Sequence, residues 1–378
     1  MEVGETSRRK SRRNKLIICS SNEMLPKIWE KFPEDLFEVV GARLPTSTFF
    51  RFLCVSRKWN SMLTSHSFRD QYAQIPISQP WFYTITHDNV NTAAIYNPSS
   101  NKWHHQKVHS FLEKLVIYPL ASIGGIICFV NIHHTRFFVG NPLTQTFKEL
   151  PACSSMDWSQ VAVGMWMNGK STIEGYKILF LGCNGQYIIF DSNKNKWYES
   201  KVIPTSIRLP YILNLRSQAI SVDGCLYFMS SYPNGMVCYN TLSGIWNHFS
   251  VPILHDMISG RFLVECGGRI MFVCVMIKSR VSICIWEFEK TTLLWKYFDK
   301  MPRELCLKLY RKGANMICVG NKDMIFLCFS SEKLFMLVTY DVVKKEWFKA
   351  PRSLLPRGMT YQRFRHKIAF YPCITATP

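Results

Sequence analysis

No Cys-x-x-Cys pair occurs among the 14 cysteines of this 378-residue chain. His104-His105 and His133-His134 have no cysteine or carboxylate beside them at ligand spacing. Those absences argue against a zinc framework. Cysteines scattered through apolar stretches fit reduced, buried thiols of the cytosol or nucleus better than a disulfide scaffold. Long hydrophobic runs are missing too. The most apolar stretches, around Ile126–Val130 and Ile270–Ile277, fall well short of the roughly 20 residues a membrane helix needs. Leu16-Ile17-Ile18-Cys19 is too short for the core of a secretory signal. A phosphate-binding glycine loop and a nucleophile elbow are also absent.

Carboxylates are scarce. Asp and Glu total 26 against 46 Lys and Arg, a formal charge of +20. Part of the excess is local, in Arg8, Arg9, Lys10, Arg12, Arg13 and Lys15. Such a run reads as a nuclear localisation signal, a nucleic-acid contact or a solvated tail. A second basic region runs from Lys344 through Arg352, Arg357, Arg363, Arg365 and Lys367, with only Glu346 to offset it. If those side chains share one surface, they steer an acidic partner to it.

What is present begins with a compact apolar module over 26–72. Pro33 stands where a helix starts, followed by Glu34 and Asp35, which complement the positive end of the helix dipole. Leu36, Val40 and Leu44 recur every fourth residue and make one apolar stripe. Pro45 stops that helix, and Thr46 or Ser47 can cap the next. Phe49, Phe52, Leu53, Cys54, Val55, Trp59, Met62 and Leu63 offer more apolar surface than a segment near the lower size limit for stability buries alone.

These residues resemble the F-box family. Its pattern of Leu-Pro, two acidic or polar residues, Leu, Leu-Pro and an Arg-Phe-x-Cys-Val run ending in Trp is matched by Phe32-Pro33, Glu34-Asp35, Leu36, Leu44-Pro45 and Arg51 to Trp59. The resemblance implies that Phe32, Pro33, Leu36, Val40, Leu44, Pro45, Leu53, Val55 and Trp59 contact a Skp-type adaptor, and through it a cullin. Phe32 replaces the usual Leu. Gly41 replaces another; it costs about 1 kcal/mol of helix propensity relative to Ala and is read as a lost adaptor contact.

After residue 76 a different pattern takes over. An Asn, Asp or Glu at a strand end is followed six positions later by an aromatic: Asn97 to Trp103, Asn141 to Phe147, Asp191 to Trp197, Asn240 to Trp246, Glu289 to Trp295 and Asp341 to Trp347. Copies recur about every 45 to 50 residues, the period of propeller blades. The short polar side chain can satisfy turn amides, and Trp103, Phe147, Trp197, Trp246, Trp295 and Trp347 are expected to pack between blades. Gly124-Gly125, Gly224 and Gly267-Gly268 precede apolar strands and fit tight turns. The pattern resembles kelch repeats. A spare strand at His366–Tyr371 can complete the first blade and remove a free edge. That gives six blades, with seven open if a degenerate copy lies in the longer spacers.

The expected architecture is therefore a basic tail over 1–25, a small all-α F-box over 26–72 and an all-β kelch-type propeller over 76–378. Enzymatic propellers are a poor match. Ser221-Val222-Asp223-Gly224 lacks the tryptophan of the sialidase repeat, and no His and Tyr set of the copper oxidases is recognisable. No catalytic residue, metal or cofactor is expected. The resemblance to plant F-box/kelch-repeat proteins implies a substrate receptor of a Skp–cullin–F-box ubiquitin ligase. Its partners would be an adaptor and an unnamed target protein, with nucleic acid a weaker expectation and no membrane. Nucleus or cytoplasm is the expected place. The rival reading is a scaffolding or transcription-regulatory protein whose F-box serves assembly without degradation.

Overall fold

The computed structural model describes residues 33–54, 57–62, 65–75, 79–87, 91–108, 117–131, 133, 135–153, 161–182, 184–204, 219–231, 234–251, 257–277, 281–310, 314–331, 334–352 and 367–378. The chain divides into two compact units, Met1–Ile75 and Pro76–Pro378. The 1–25 tail, Phe32 and Val55 lie outside the described residues.

In the first unit α1 (Glu34–Arg43) follows Pro33, and α2 (Thr46–Leu53) follows Pro45. Pro45 itself holds the cap position of α2 without a side-chain bond, so neither Thr46 nor Ser47 caps it. Two further short helices follow α2, namely α3 (Arg57–Ser61) and α4 (His66–Ala73). Ser65 is the cap that starts α4, accepting from Phe68 N–H at 3.3 Å and donating to Glu38 at 2.5 Å. Ala42, Phe49, Met62 and Phe68 form the buried centre. The rings of Phe49 and Phe68 stack at 5.1 Å.

The second unit is a six-bladed propeller. Blade 1 is β25 (Lys367–Phe370), β1 (Trp81–His87), β2 (Asn91–Asn97) and β3 (Lys102–Lys107). Blade 2 is β4 (Ile117–Ile123), β5 (Ile126–Asn131), β6 (Phe137–Asn141) and β7 (Thr146–Glu149). Blade 3 is β8 (Val161–Met167), β9 (Tyr176–Gly182) and β10 (Gln186–Asp191), its outer edge split into β11 (Lys196–Trp197) and β12 (Lys201–Val202). Blade 4 is β13 (Ile220–Val222), β14 (Cys225–Ser231), β15 (Asn234–Asn240) and β16 (Trp246–Ser250). Blade 5 is β17 (Met257–Cys266), β18 (Arg269–Ile277), β19 (Val281–Glu289) and β20 (Leu294–Lys300). Blade 6 is β21 (Asn315–Asn321), β22 (Met324–Ser331), β23 (Leu334–Asp341) and β24 (Glu346–Lys349).

Closure works as the spare strand implied. β25 pairs antiparallel with β1, Phe82 opposite Ala369 and Tyr83 opposite Ile368. The first strands of successive blades neighbour one another round the axis, from β4 through β8, β13, β17 and β21 to β25 and back to β4. Two glycines allow that approach. A Cβ on Gly320 would lie 2.7 Å from the Glu265 carbonyl oxygen, and one on Gly164 2.9 Å from Ala219.

Because neighbouring strands are antiparallel, the two ends of the propeller differ. One end carries the turns between first and second strands and between third and fourth; here it is termed the turn end. The other, the loop end, carries the turns between second and third strands and the connections from blade to blade. Tight pairs such as Gly124-Gly125, Asp223-Gly224 and Gly267-Gly268, all with positive φ, make the turn end. The blade-to-blade connections leave from the loop end, where the described residues Ile203, Met301 and Ala350 follow the last strands of blades 3, 5 and 6. Within 301–314 sits a helix, α5 (Arg303–Tyr310), with Cys306 buried against blades 5 and 6.

Candidate functional site

On α1 the stripe read from the sequence faces outward. Leu36 is 44% and Val40 43% exposed, Pro33 and Pro45 are exposed, and Leu44 is half-buried. Leu53 and Trp59 are half-buried, with Trp59 packed on Phe37 at 5.1 Å and Phe52 at 4.9 Å. The centre of the unit is filled from the opposite face of α1, so Leu36 and Val40 are apolar surface that the described residues of the unit leave open to water. Gly41 lies on the inner side. A Cβ there would sit 2.6 Å from Met62 Cε and 3.6 Å from Phe49. Its lack of a side chain makes room for Met62, which corrects its reading as a missing adaptor contact.

In the propeller each repeat aromatic stands at a blade boundary. Trp103 meets Phe82 of its own blade and Phe335 of blade 6, and its indole N–H donates to Pro351 O at 2.9 Å. Trp197 touches Phe137, Phe180 and Phe190 and donates to Pro151 O at 2.8 Å. Trp246 bridges Tyr187 of blade 3 and Tyr239 of blade 4. Phe147 packs on Phe129, Trp295 on Phe272 and Phe288, and Trp347 on Tyr340 at 4.4 Å. The strand-end residues hold the turns. Asp191 Oδ1 accepts from the amides of Asn193 and Lys194, Asn240 from those of Leu242 and Ser243, and Asp341 from those of Val343 and Lys344. Glu289 departs from the rule, its longer side chain reaching the Thr292 hydroxyl at 2.7 Å.

The turn end of the axis is closed by the chain itself. Beyond β25, Pro372, Ile374 and Ala376 are buried. Asn141 Nδ2 donates to the carbonyls of Cys373 at 2.8 Å and Ala376 at 2.9 Å, and Thr377 N–H donates to the Thr172 hydroxyl at 3.1 Å. Burial, with Glu265 and Asp323 nearby, pushes the Tyr371 hydroxyl well above its ordinary range. This segment therefore crosses from the side of blades 5 and 6 to blades 2 and 3. The chain also enters the propeller at this end, where Gln79 accepts from Ser99 at 3.1 Å. Sequence reading missed the strap because 371–378 carries no periodicity or charge.

The basic region from Lys344 to Lys367 does not share one surface. Lys344 and Lys345 sit in a turn-end loop, the first 3.7 Å from Asp341 and the second over the Phe298 ring at 5.2 Å. Lys349 and Arg352 are exposed toward the loop end, and Lys367 is buried within β25. Arg357, Arg363 and Arg365 lie outside the described residues. Among the described residues no three His, Cys, Asp or Glu side chains gather as metal ligands. No helix there is long and apolar enough to cross a membrane. Burial raises the thiols of Cys128, Cys266 and Cys318, which disfavours the thiolate that reacts.

Comparison with known proteins matches both units. An F-box domain model covers residues 29–71, and the F-box associated beta propeller domain covers residues 92–361. F-box only protein 6 of Arabidopsis thaliana is 45% identical over 358 residues, 94% of this chain and 76% of that protein. Protein UNUSUAL FLORAL ORGANS of the same plant is 23% identical over 360 residues, 86% and 79%. An Arabidopsis F-box/kelch-repeat protein is 26% identical over 362 residues, 88% and 86%.

Proposed function

The chain belongs to the F-box proteins that carry an F-box associated β-propeller, and from that premise we propose that it is a substrate-recognition subunit of a Skp–cullin–F-box ubiquitin ligase. The observation that carries the reading is the exposed stripe of Leu36 and Val40 on a unit whose centre is already filled. An apolar helix face left open in so small a unit is the surface a partner covers. In this reading Pro33, Leu36, Val40, Leu44, Pro45, Leu53 and Trp59, with Phe32 and Val55, meet the Skp-type adaptor, which joins a cullin.

The target protein sits at the loop end of the propeller. Two features support that placement: residues 371–378 fill the axis at the turn end, and blade-to-blade connections are the variable parts of such a frame. The subunit carries no catalytic residue of its own. It holds a target near a charged conjugating enzyme, and rate comes from proximity. Buried, raised thiols fit a reducing compartment, nucleus or cytoplasm.

The test is affinity purification of the full chain and of a chain lacking residues 26–72, with partners identified by mass spectrometry. Adaptor and cullin with the full chain alone support the reading. Proteins held by both versions become target candidates, and their accumulation under proteasome inhibition separates degradation from scaffolding. Absence of the adaptor from both purifications overturns the reading.

A further inference from the structure

Asn141 does more than its counterparts in the other blades. Its Oδ1 accepts from Leu143 N–H at 2.9 Å, the turn-holding bond that Asp191, Asn240 and Asp341 also make. Its Nδ2 then donates to two carbonyls of one segment, Cys373 and Ala376. An aspartate there would keep the first bond and present oxygen to both carbonyls. Beside it, Gly125 is buried at φ +95°, and a Cβ on it would lie 2.4 Å from Cys373 Cβ and 3.0 Å from Ala376 Cβ. Cys373 and Ala376 extend the core of blades 2 and 3. The Thr172 hydroxyl takes the amide of Thr377.

A paired amide, a hydroxyl and a floor without side chain are how a protein reads peptide backbone while leaving room for small side chains only. We infer that the turn end of the axis is a peptide-binding site, filled in cis by Tyr371–Pro378. Its ligand class is a short peptide bent at the turn Ile374-Thr375, with small residues at the positions of Cys373 and Ala376. Asn141 is the recognition residue, Gly125 the close-approach residue, and occupancy from the same chain keeps other peptides out.

Two experiments test it. In the full chain, Asn141→Asp should raise the rate of Cys373 alkylation by iodoacetamide, mapped by mass spectrometry, by about tenfold or more, the effect of losing two hydrogen bonds, one of them buried. Asp191→Asn, the reverse change at the equivalent position of blade 3, should leave that rate unchanged. Equal Cys373 rates in wild type and Asn141→Asp overturn the inference. In the second experiment the chain is cut after Phe370 and titrated with a fluorescein-labelled synthetic Tyr371–Pro378 peptide. Saturable binding that raises the midpoint of thermal unfolding, and is lost with Asn141→Asp, is the expected result. A folded truncated chain with no binding at millimolar peptide, or one as stable as the full chain, overturns the inference. If truncation prevents folding, the full-chain alkylation result decides.

Discussion

The two units of this protein treat apolar surface in opposite ways. In the propeller the large aromatics are shared between blades: Phe82, Phe129, Phe138, Phe180, Phe272 and Phe326 are fully buried, and the repeat tryptophans span the blade boundaries. Even its axis is stopped by its own chain. Among its described residues the helical unit buries four apolar side chains, and it leaves Leu36 and Val40 of α1 in water. A ring closes on itself and can satisfy every blade. A short helical module has no second layer, so part of its apolar surface stays exposed. The propeller is thus a self-sufficient frame, and the helical unit, under the proposed function, is half of an interface.

The comparison breaks most readily at a blade boundary. Trp197→Ala removes contacts to three phenylalanines and the bond to Pro151. It should cost about 3 kcal/mol, read as a lower denaturant midpoint at unchanged m-value, with adaptor affinity unaltered. Next comes Gly125→Ala, which meets positive φ and the Cys373 backbone 3.2 Å from the new Cβ. About 2 kcal/mol of destabilisation is expected, again by equilibrium unfolding.

A smaller effect belongs to Asp191. Burial raises its carboxyl, but bonds from Tyr198 and the Lys194 and Asn193 amides, with Lys177 at 3.9 Å, outweigh it and hold the net value below the ordinary 3.8. A depressed carboxyl stabilises the fold above its unfolded value, and that stability is lost as pH falls through the folded one. Asp191→Asn should therefore flatten the acid limb of the stability profile below about pH 4, while changing neutral stability by about 1 kcal/mol. An acid limb identical to wild type would remove Asp191 from the account.

Much of the frame was legible in the sequence, because a blade repeats. The six-residue spacing from Asn97 to Trp103 through Asp341 to Trp347 pointed to six blades, with seven left open, and the spare strand at His366–Tyr371 pointed to closure. The apolar stripe of α1 was equally readable from Leu36, Val40 and Leu44. Gly41 was not, since spacing cannot tell which side of a helix faces Met62. The break between α2 and α3 near Cys54 was not legible, because it contains no proline or glycine. The Lys344–Lys367 region stayed conditional in the sequence for a related reason. A strand carries its two ends to opposite sides of the propeller, so neighbours in sequence part company in space. The strap of 371–378 is held by backbone carbonyls and an amide, and backbone recognition leaves no mark on side-chain pattern.

The most direct measurement is a titration of the full chain, wild type and Leu36→Glu/Val40→Glu, with a recombinant Skp-type adaptor by calorimetry. Both side chains are exposed, so the double variant should keep the wild-type unfolding midpoint and lose adaptor affinity by about a hundredfold or more. Equal affinity in the two proteins would contradict the assignment of the exposed stripe as the adaptor surface.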